Sequence, residues 1–275
     1  MQLKFQEMYI PISREISSVE QELENIYKNF KTDSLQEILN HFFKIPGKRL
    51  RPTLVLLSSK IINEQLPLET YHQLIQLSVA LELIHSASLI HDDIIDDDFL
   101  RRGQKTLNKV YGRKIAVLAG DVIYSHAFSI VTNSLPKEYG REIVKLAENM
   151  CSAEILQAKN TTSTKEVYLE IIKGKTALFM AICCKLGAAL AGASGEEAAS
   201  LENYGFNLGM AYQIVDDYID GDQDTALNIT LEDAHNFAKN SLDSIEAFKN
   251  SFYKKTLINL VNYIINFSRP RVSNA

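Results

Sequence analysis

The chain has no tryptophan, and only three cysteines, six prolines and twelve glycines in 275 residues. Cys151, Cys183 and Cys184 follow neither disulfide nor metal-ligand spacing, which argues against a disulfide scaffold and a thiolate metal site. Adjacent Cys183 and Cys184 in an apolar run read as core thiols of a protein in a reducing compartment. With no Ser/Gly-rich, Pro-rich or long single-charge tract to serve as a linker, one domain over residues 1–275 is expected. A net charge of −5 argues against nucleic-acid binding but leaves room for a local basic pocket. The N-terminal residues 1–7 lack the apolar core of a signal peptide, and no stretch approaches the roughly 20 uninterrupted apolar residues of a membrane span. A soluble, cytoplasmic protein is therefore expected.

What is present is helical periodicity. Ile12, Ile16, Val19, Leu23 and Ile26 recur at three- and four-residue spacings, as do Leu74, Leu77, Leu81 and Ile84, whereas sustained period-two alternation is missing. The breakers Pro46-Gly47, Gly103, Gly112, Pro136, Gly140, Gly174, Gly192 to Gly195 and Gly221 divide these runs. An all-α, single-domain bundle of about ten helices around a central apolar cavity is expected, because a chain 46% hydrophobic can bury a sizeable core. Stretches 81–91, 115–130, 176–191 and 205–215 are apolar nearly all round and are assigned to its centre.

Five aspartates, Asp92, Asp93, Asp96, Asp97 and Asp98, crowd into seven residues after such a run. On a helix, Asp92/Asp96 and Asp93/Asp97 would each be like-charge neighbours costing roughly 0.2–0.5 kcal/mol without a counter-ion. Asp216, Asp217 and Asp220 repeat the Asp-Asp-x-x-Asp spacing 124 residues downstream (216 − 92), again after an apolar stretch. One such group could be a solvated helix end; two at the same spacing point to hard-oxygen platforms for Mg²⁺, whose shell substrate phosphates complete.

Cationic partners for phosphate stand at separated points. Gly47-Lys48-Arg49-Leu50-Arg51-Pro52 opens a helix, Arg101-Arg102-Gly103 follows the first cluster, and Lys175 follows Gly174 where a helix is expected to begin. Gly174-Lys175-Thr176 lacks the upstream glycine of a P-loop, which argues against nucleotide triphosphate. His85 alone would read as a core histidine. Together these groups point to diphosphates held inside an apolar bundle.

In this order, with Leu83 to Asp96, Leu118-Ala119-Gly120-Asp121, Glu154, Gln157, Lys175-Thr176-Ala177 and Gly209 to Asp220, the residues resemble the trans-prenyltransferases, or all-trans isoprenyl diphosphate synthases, over roughly residues 40–222. The resemblance implies the isoprenoid synthase type I fold, a homodimer, and transfer of an allylic prenyl group to isopentenyl diphosphate. It implies three Mg²⁺ ions with substrate bound, held by Asp92 and Asp96 with Asp93 supporting, and by Asp216 with Asp217 and Asp220 nearby. Arg101, Lys175, Thr176 and Gln213 would face the allylic diphosphate, while Gly47, Lys48, Arg51, His85 and Arg102 would hold isopentenyl diphosphate. Asp92, Asp96, Arg101, Lys175 and Asp216 are the catalytic candidates.

Residues one to three turns before Asp92 would set product length, each turn of about 5.4 Å admitting about one isoprene unit. Ala87 and Ser88 are small, with Ile84 deeper, so a product of geranylgeranyl length or longer is expected, and Tyr124, Phe128 and Met150 are candidate floors on other helices. One departure stands out. No lysine occurs between Lys185 and Lys239, and the region after Asp220 looks shortened relative to the family. That raises a second reading, a weakly active or non-catalytic partner subunit of a heteromeric synthase. A class I terpene cyclase fits less well, having no need of the isopentenyl site.

Overall fold

The computed structural model describes residues 5–30, 32–159, 164–221 and 229–267. Its helices are α1 (Ser13–Lys28), α2 (Asp33–Phe43), α3 (Leu50–Ile62), α4 (Leu68–Ile95), α5 (Leu107–Val110), α6 (Arg113–Ser134), α7 (Lys137–Lys159), α8 (Lys165–Ile172), α9 (Leu178–Leu190), α10 (Gly195–Asp220), α11 (Leu231–Ser244) and α12 (Phe252–Phe267). A 3-10 stretch, Phe5–Ile12, precedes α1, and a π turn, Lys173–Ala177, joins α8 to α9. Among the described residues the only sheet is an antiparallel pair of two-residue strands, β1 (Leu100–Arg101) and β2 (Gln104–Lys105). The expected all-α class holds.

By internal contacts the chain groups into two compact units that alternate along the sequence. One comprises Ser13–Thr53 and Tyr71–Gly140; the other comprises Met1–Ile12, Leu54–Thr70 and Arg141–Ala275.

In the first of these, α1 turns Val19, Leu23 and Tyr27 inward at four-residue spacing, and α4 buries residues on every side, Leu74, Leu77, Val79, Ala80, Leu81, Leu83, Ile84 and Ala87 among them. Each such large apolar side chain contributes roughly 1.5–3 kcal/mol, which is why α4 runs through the core as expected for 81–91. Its C-terminus closes in a Schellman-type cap: Asp97 takes the left-handed conformation (φ 56°) and Asp98 N–H donates to Asp93 C=O at 3.0 Å. Asp97 has thus left the helix, and the expected Asp93/Asp97 helical pair does not exist. The α6 assignment also changes. Its Ile115, Val117 and Leu118 are 38%, 41% and 59% exposed, so 115–130 is not wholly interior.

In the other unit α9 and α10 form the core, with Phe179, Met180, Cys183, Cys184, Tyr204, Leu208 and Ala211 buried. Gly209 lets α10 approach the π turn that leads into α9, since a β-carbon there would stand 2.6 Å from Ala177 Cα. Ser194 and Glu197 form a capping box that starts α10, and Thr230 and Asp233 do the same for α11. The buried Tyr204 hydroxyl donates to Leu257 C=O, and Ser241 Oγ donates to Tyr204 C=O, both at 2.9 Å, which ties α10 to α11 and α12. Burial pushes the Cys184 thiol up to about 12, in keeping with an inert core cysteine.

Two expected breaks are not breaks. Gly140 lies inside α7, and Gly174 inside the π turn, so helix continues from Lys165 to Leu190 and Lys175 does not begin one. Isolated glycines inside helices cost only about 1 kcal/mol, which packing readily offsets. The apolar-length expectation also needs amendment: α4 and α6 are each long and apolar enough to cross a membrane by length and composition, and the relevant part of α4 is 72% buried within the protein.

Candidate active site

The five aspartates of the first cluster sort by partner, all within one unit. Asp93 is 2% exposed, and Arg101 Nε donates to its Oδ1 at 2.5 Å. Burial raises the Asp93 pKa, and Arg101 opposes the rise. Asn108 Nδ2 also donates to the Asp93 carbonyl at 2.9 Å. Asp97 is held by Lys109 and Arg113 at 2.7 and 3.0 Å, and Lys109 heads the causes that lower its pKa. Asp98 lies 3.8 Å from Arg101 Nη2. Asp92, half-buried, and Asp96, exposed, stand one turn apart at the end of α4, with the helical bond Asp96 N–H to Asp92 C=O at 2.9 Å. Beside them, His91 Nε2 lies 3.3 Å from Val117 C=O and 3.6 Å from Asp121 Oδ1 of α6, and its ring neighbours Tyr124, which stacks on Phe128.

The hairpin carrying Arg101 turns at Arg102 (φ 53°) and Gly103 (φ 78°), the two positive φ values that a type I′ connection requires. Arg102 reaches back to the basic loop, where its Nη1 donates to Ile45 C=O at 3.1 Å. Its guanidinium lies so close to Gly47 that a β-carbon there would meet Nη2 at 2.7 Å, which explains the glycine. Burial lowers the Arg102 pKa, and Glu82 opposes. Burial also takes the His85 pKa well below its ordinary value, and Arg51, Arg102, Arg101 and Arg49 push it the same way. Gly47, Arg51, His85, Arg101 and Arg102 thus share one strongly positive neighbourhood; Lys48 is exposed on the same loop. Ala87 and Ile84, at 0% exposure, and half-buried Ser88 lie on α4 between His85 and Asp92 or just before.

The other unit gathers the second set. The π turn points Lys175 at α7, where its Nζ is 2.5 Å from Glu154 Oε2 and donates to Gln157 Oε1 at 3.0 Å. Thr176 instead faces α10: its hydroxyl donates to Gln213 Oε1 at 2.8 Å, and Gln213 Nε2 donates to Asp217 Oδ1 at 2.7 Å. Tyr168 Oη completes the chain by donating to Asp217 Oδ2 at 2.6 Å, with its own pKa raised by burial and then by Asp217. Half-buried Asp216 and exposed Asp220 stand on the same end of α10. Tyr168 was missed from the sequence. Its partner is 49 residues away, and nothing in a local pattern announces such a contact. The shortened stretch after Asp220 falls on residues 222–228, outside the described residues.

Among the described residues no group of three or more His, Cys, Asp or Glu side chains is already arranged to hold a metal ion. The donor set nonetheless suits a hard divalent cation. Paired carboxylates are hard oxygen ligands, and Mg²⁺ takes one or two such groups with substrate phosphate.

The described residues form a helical fold with two aspartate platforms, each accompanied by cations, and comparison with known proteins gives the family. The polyprenyl synthetase family profile matches residues 32–263, and the chain belongs to that family. It is 36% identical over 195 residues to the short chain isoprenyl diphosphate synthase of Methanothermobacter thermautotrophicus, covering 68% of this chain and 58% of that one. It is 34% identical over 221 residues to heptaprenyl diphosphate synthase component 2 of Bacillus subtilis, covering 79% and 62%. The match therefore spans less than two thirds of either relative. Polyprenyl synthase from Caulobacter crescentus, solved with calcium and isoprenyl diphosphate, shares the fold at a TM-score of 0.86 and 21% identity, over 98% of this chain and 99% of that one.

Proposed function

We propose that this protein is a Mg²⁺-dependent prenyltransferase that condenses isopentenyl diphosphate with an allylic diphosphate of the farnesyl or geranylgeranyl class. The product is an all-trans polyprenyl diphosphate of geranylgeranyl length or longer. The observation that carries the reading is the crowding of Arg51, Arg101 and Arg102 on His85 beside the α4 carboxylates, a field that calls for a polyanion. Gly47, Lys48, Arg51, His85 and Arg102 take isopentenyl diphosphate. Arg101, Lys175, Thr176 and Gln213 take the allylic diphosphate.

Asp92 and Asp96, and Asp216 with Asp220 beside it, are the residues that would hold Mg²⁺, which when bound would supply charge neutralisation for the departing diphosphate. Asp217, committed to Gln213 and Tyr168, orients Gln213. Arg101 and Lys175 each offer fixed positive charge to a diphosphate, and an apolar surround would keep water from the allylic cation. The isopentenyl double bond attacks C1, forming the new C–C bond, and a proton leaves to the released diphosphate. No side-chain nucleophile is required.

We read residues 1–275 as one polyprenyl synthetase domain of a cytoplasmic homodimer, in which a second copy would cover the exposed Ile115, Val117 and Leu118 of α6. The name of the Bacillus relative, a component 2, favours one alternative, a subunit that needs a partner polypeptide. Purified protein is incubated with Mg²⁺, isopentenyl diphosphate and farnesyl diphosphate, and the products are chromatographed. Elongation by the protein alone is expected. Elongation only after adding a second polypeptide would favour the partner subunit, and cyclic hydrocarbons would favour a cyclase.

A further inference from the structure

Among the described residues three that are not glycine have positive φ: Arg49 (49°), Asp97 (56°) and Arg102 (53°). Asp97 closes a helix and Arg102 turns a hairpin. Arg49 does neither; it stands at the N-cap of α3, where Ser, Thr, Asp or Asn in extended backbone is the rule. Its carbonyl accepts from Thr53 N–H at 3.0 Å and from Thr53 Oγ1 at 2.8 Å, so the helix begins on a strained residue. Such strain persists where surrounding contacts over-determine it, and it gathers at functional sites.

The contacts that hold it are side-chain ones. Unlike exposed Lys48 beside it, Arg49 is 7% exposed. Nε donates to Glu20 Oε1 at 2.6 Å and Nη2 to Glu20 Oε2 at 3.0 Å, a bidentate fork onto α1. Nη1 donates to Glu82 Oε1 of α4 at 2.8 Å, and Glu82 is 3% exposed. Burial works against the Arg49 charge, yet the hydrogen bond to Glu20 and the field of Glu82 raise its pKa. Glu82 stands three residues before His85, on the same face of α4. One guanidinium therefore clamps the basic loop to the helix turn that carries His85.

We propose that Arg49 is a positioning residue: by locking the Gly47–Arg51 loop to Glu20 and Glu82, it sets Lys48 and Arg51 against His85 to receive isopentenyl diphosphate. Arg49 touches no substrate itself. The role rests on the isopentenyl site proposed above. It needs the planar fork, which lysine cannot supply.

The test uses the full chain and the variants Arg49→Lys, Glu82→Gln and Glu20→Gln. Isopentenyl diphosphate binding is measured by calorimetry, alongside KM for each substrate, kcat and Tm. Arg49→Lys should weaken isopentenyl diphosphate binding and raise its KM by about tenfold or more, with allylic KM and kcat held within about threefold. Glu82→Gln, which keeps the shape and one acceptor, should move the same constants by a smaller factor, and it carries the test if Arg49→Lys does not fold. Glu20→Gln, at a half-exposed partner, should move them least. Unchanged isopentenyl diphosphate binding in both Arg49→Lys and Glu82→Gln, or a uniform loss in both substrates and kcat, overturns the positioning role. Wild-type protein that binds no isopentenyl diphosphate overturns the functional reading as well, so the two failures are told apart.

Discussion

Asp93 is the residue on which the sorting of the first cluster turns. Asp93→Ala removes a 2.5 Å charged hydrogen bond whose carboxylate is 3% exposed and whose arginine is 28% exposed. A charged hydrogen bond contributes about 1.5–3 kcal/mol, and partial rehydration of Arg101 places the loss near 2 kcal/mol. For a chain of this size each kcal/mol moves Tm by roughly 2–4 °C, so a fall of about 4–8 °C is expected by scanning calorimetry. A short ion pair and a raised pKa pull in opposite directions here. The pair forms, and burial of the carboxylate outweighs it in setting the Asp93 pKa. Asp93→Asn, which keeps an acceptor for Arg101 without a charge to desolvate, should therefore lose about half as much. In initial-rate assays Asp93→Asn should cut kcat/KM for the allylic substrate about tenfold, through a loosened Arg101, and shift the Mg²⁺ half-activation concentration by less than about threefold. Asp92→Asn should shift that concentration by more than about tenfold. Equal Mg²⁺ shifts in the two variants would make Asp93 an ion ligand and refute the sorting.

Three further outcomes are expected. Because the His85 pKa is lowered in the folded state, unfolded chains protonate first as pH falls below about 6.5, so this histidine's contribution is complete above that pH and is lost below it. His85→Gln should remove up to about 1.4 kcal/mol per pH unit of that slope in urea unfolding between pH 5 and 7; an unaltered slope counts against it. Ser88→Phe, one turn before Asp92, should shorten the product by about one isoprene unit, whereas Ala87→Phe, at 0% exposure, should do so with a further overpacking cost of about 1–3 kcal/mol. Chromatography showing unchanged length in both rules out α4 as the ruler. Gly209→Val should press on Ala177, lower Tm by several degrees, and weaken inorganic diphosphate binding through the displaced π turn.

What the sequence disclosed was chiefly local. Apolar periodicity located α4, α9 and α10, and the carboxylates and the cations of the Gly47–Pro52 and Arg101–Arg102 segments stand on the ends and loops expected of them, whereas Lys175 sits inside a π turn. Pairings between distant positions were not legible: Arg49 with Glu82, Lys175 with Glu154 and Tyr168 with Asp217 depend on helix packing, which periodicity does not specify. Nor could composition distinguish an interior helix from one with an exposed apolar face, as α6 shows. Gly140 and Gly174 were misread because a glycine's conformational freedom permits a break without requiring one.

The π turn at Lys173–Ala177 has an arithmetic consequence. It accommodates one more residue than α-helical winding would, and each residue turns a helix by about 100°. Winding the same residues as regular α-helix, with nothing deleted, would gain hydrogen-bond regularity while rotating α8 by about 100° relative to α9. Tyr168 would swing away from Asp217, and Lys165 from Asp233. The irregularity acts as a phase shifter, allowing one continuous rod to present two differently aimed faces.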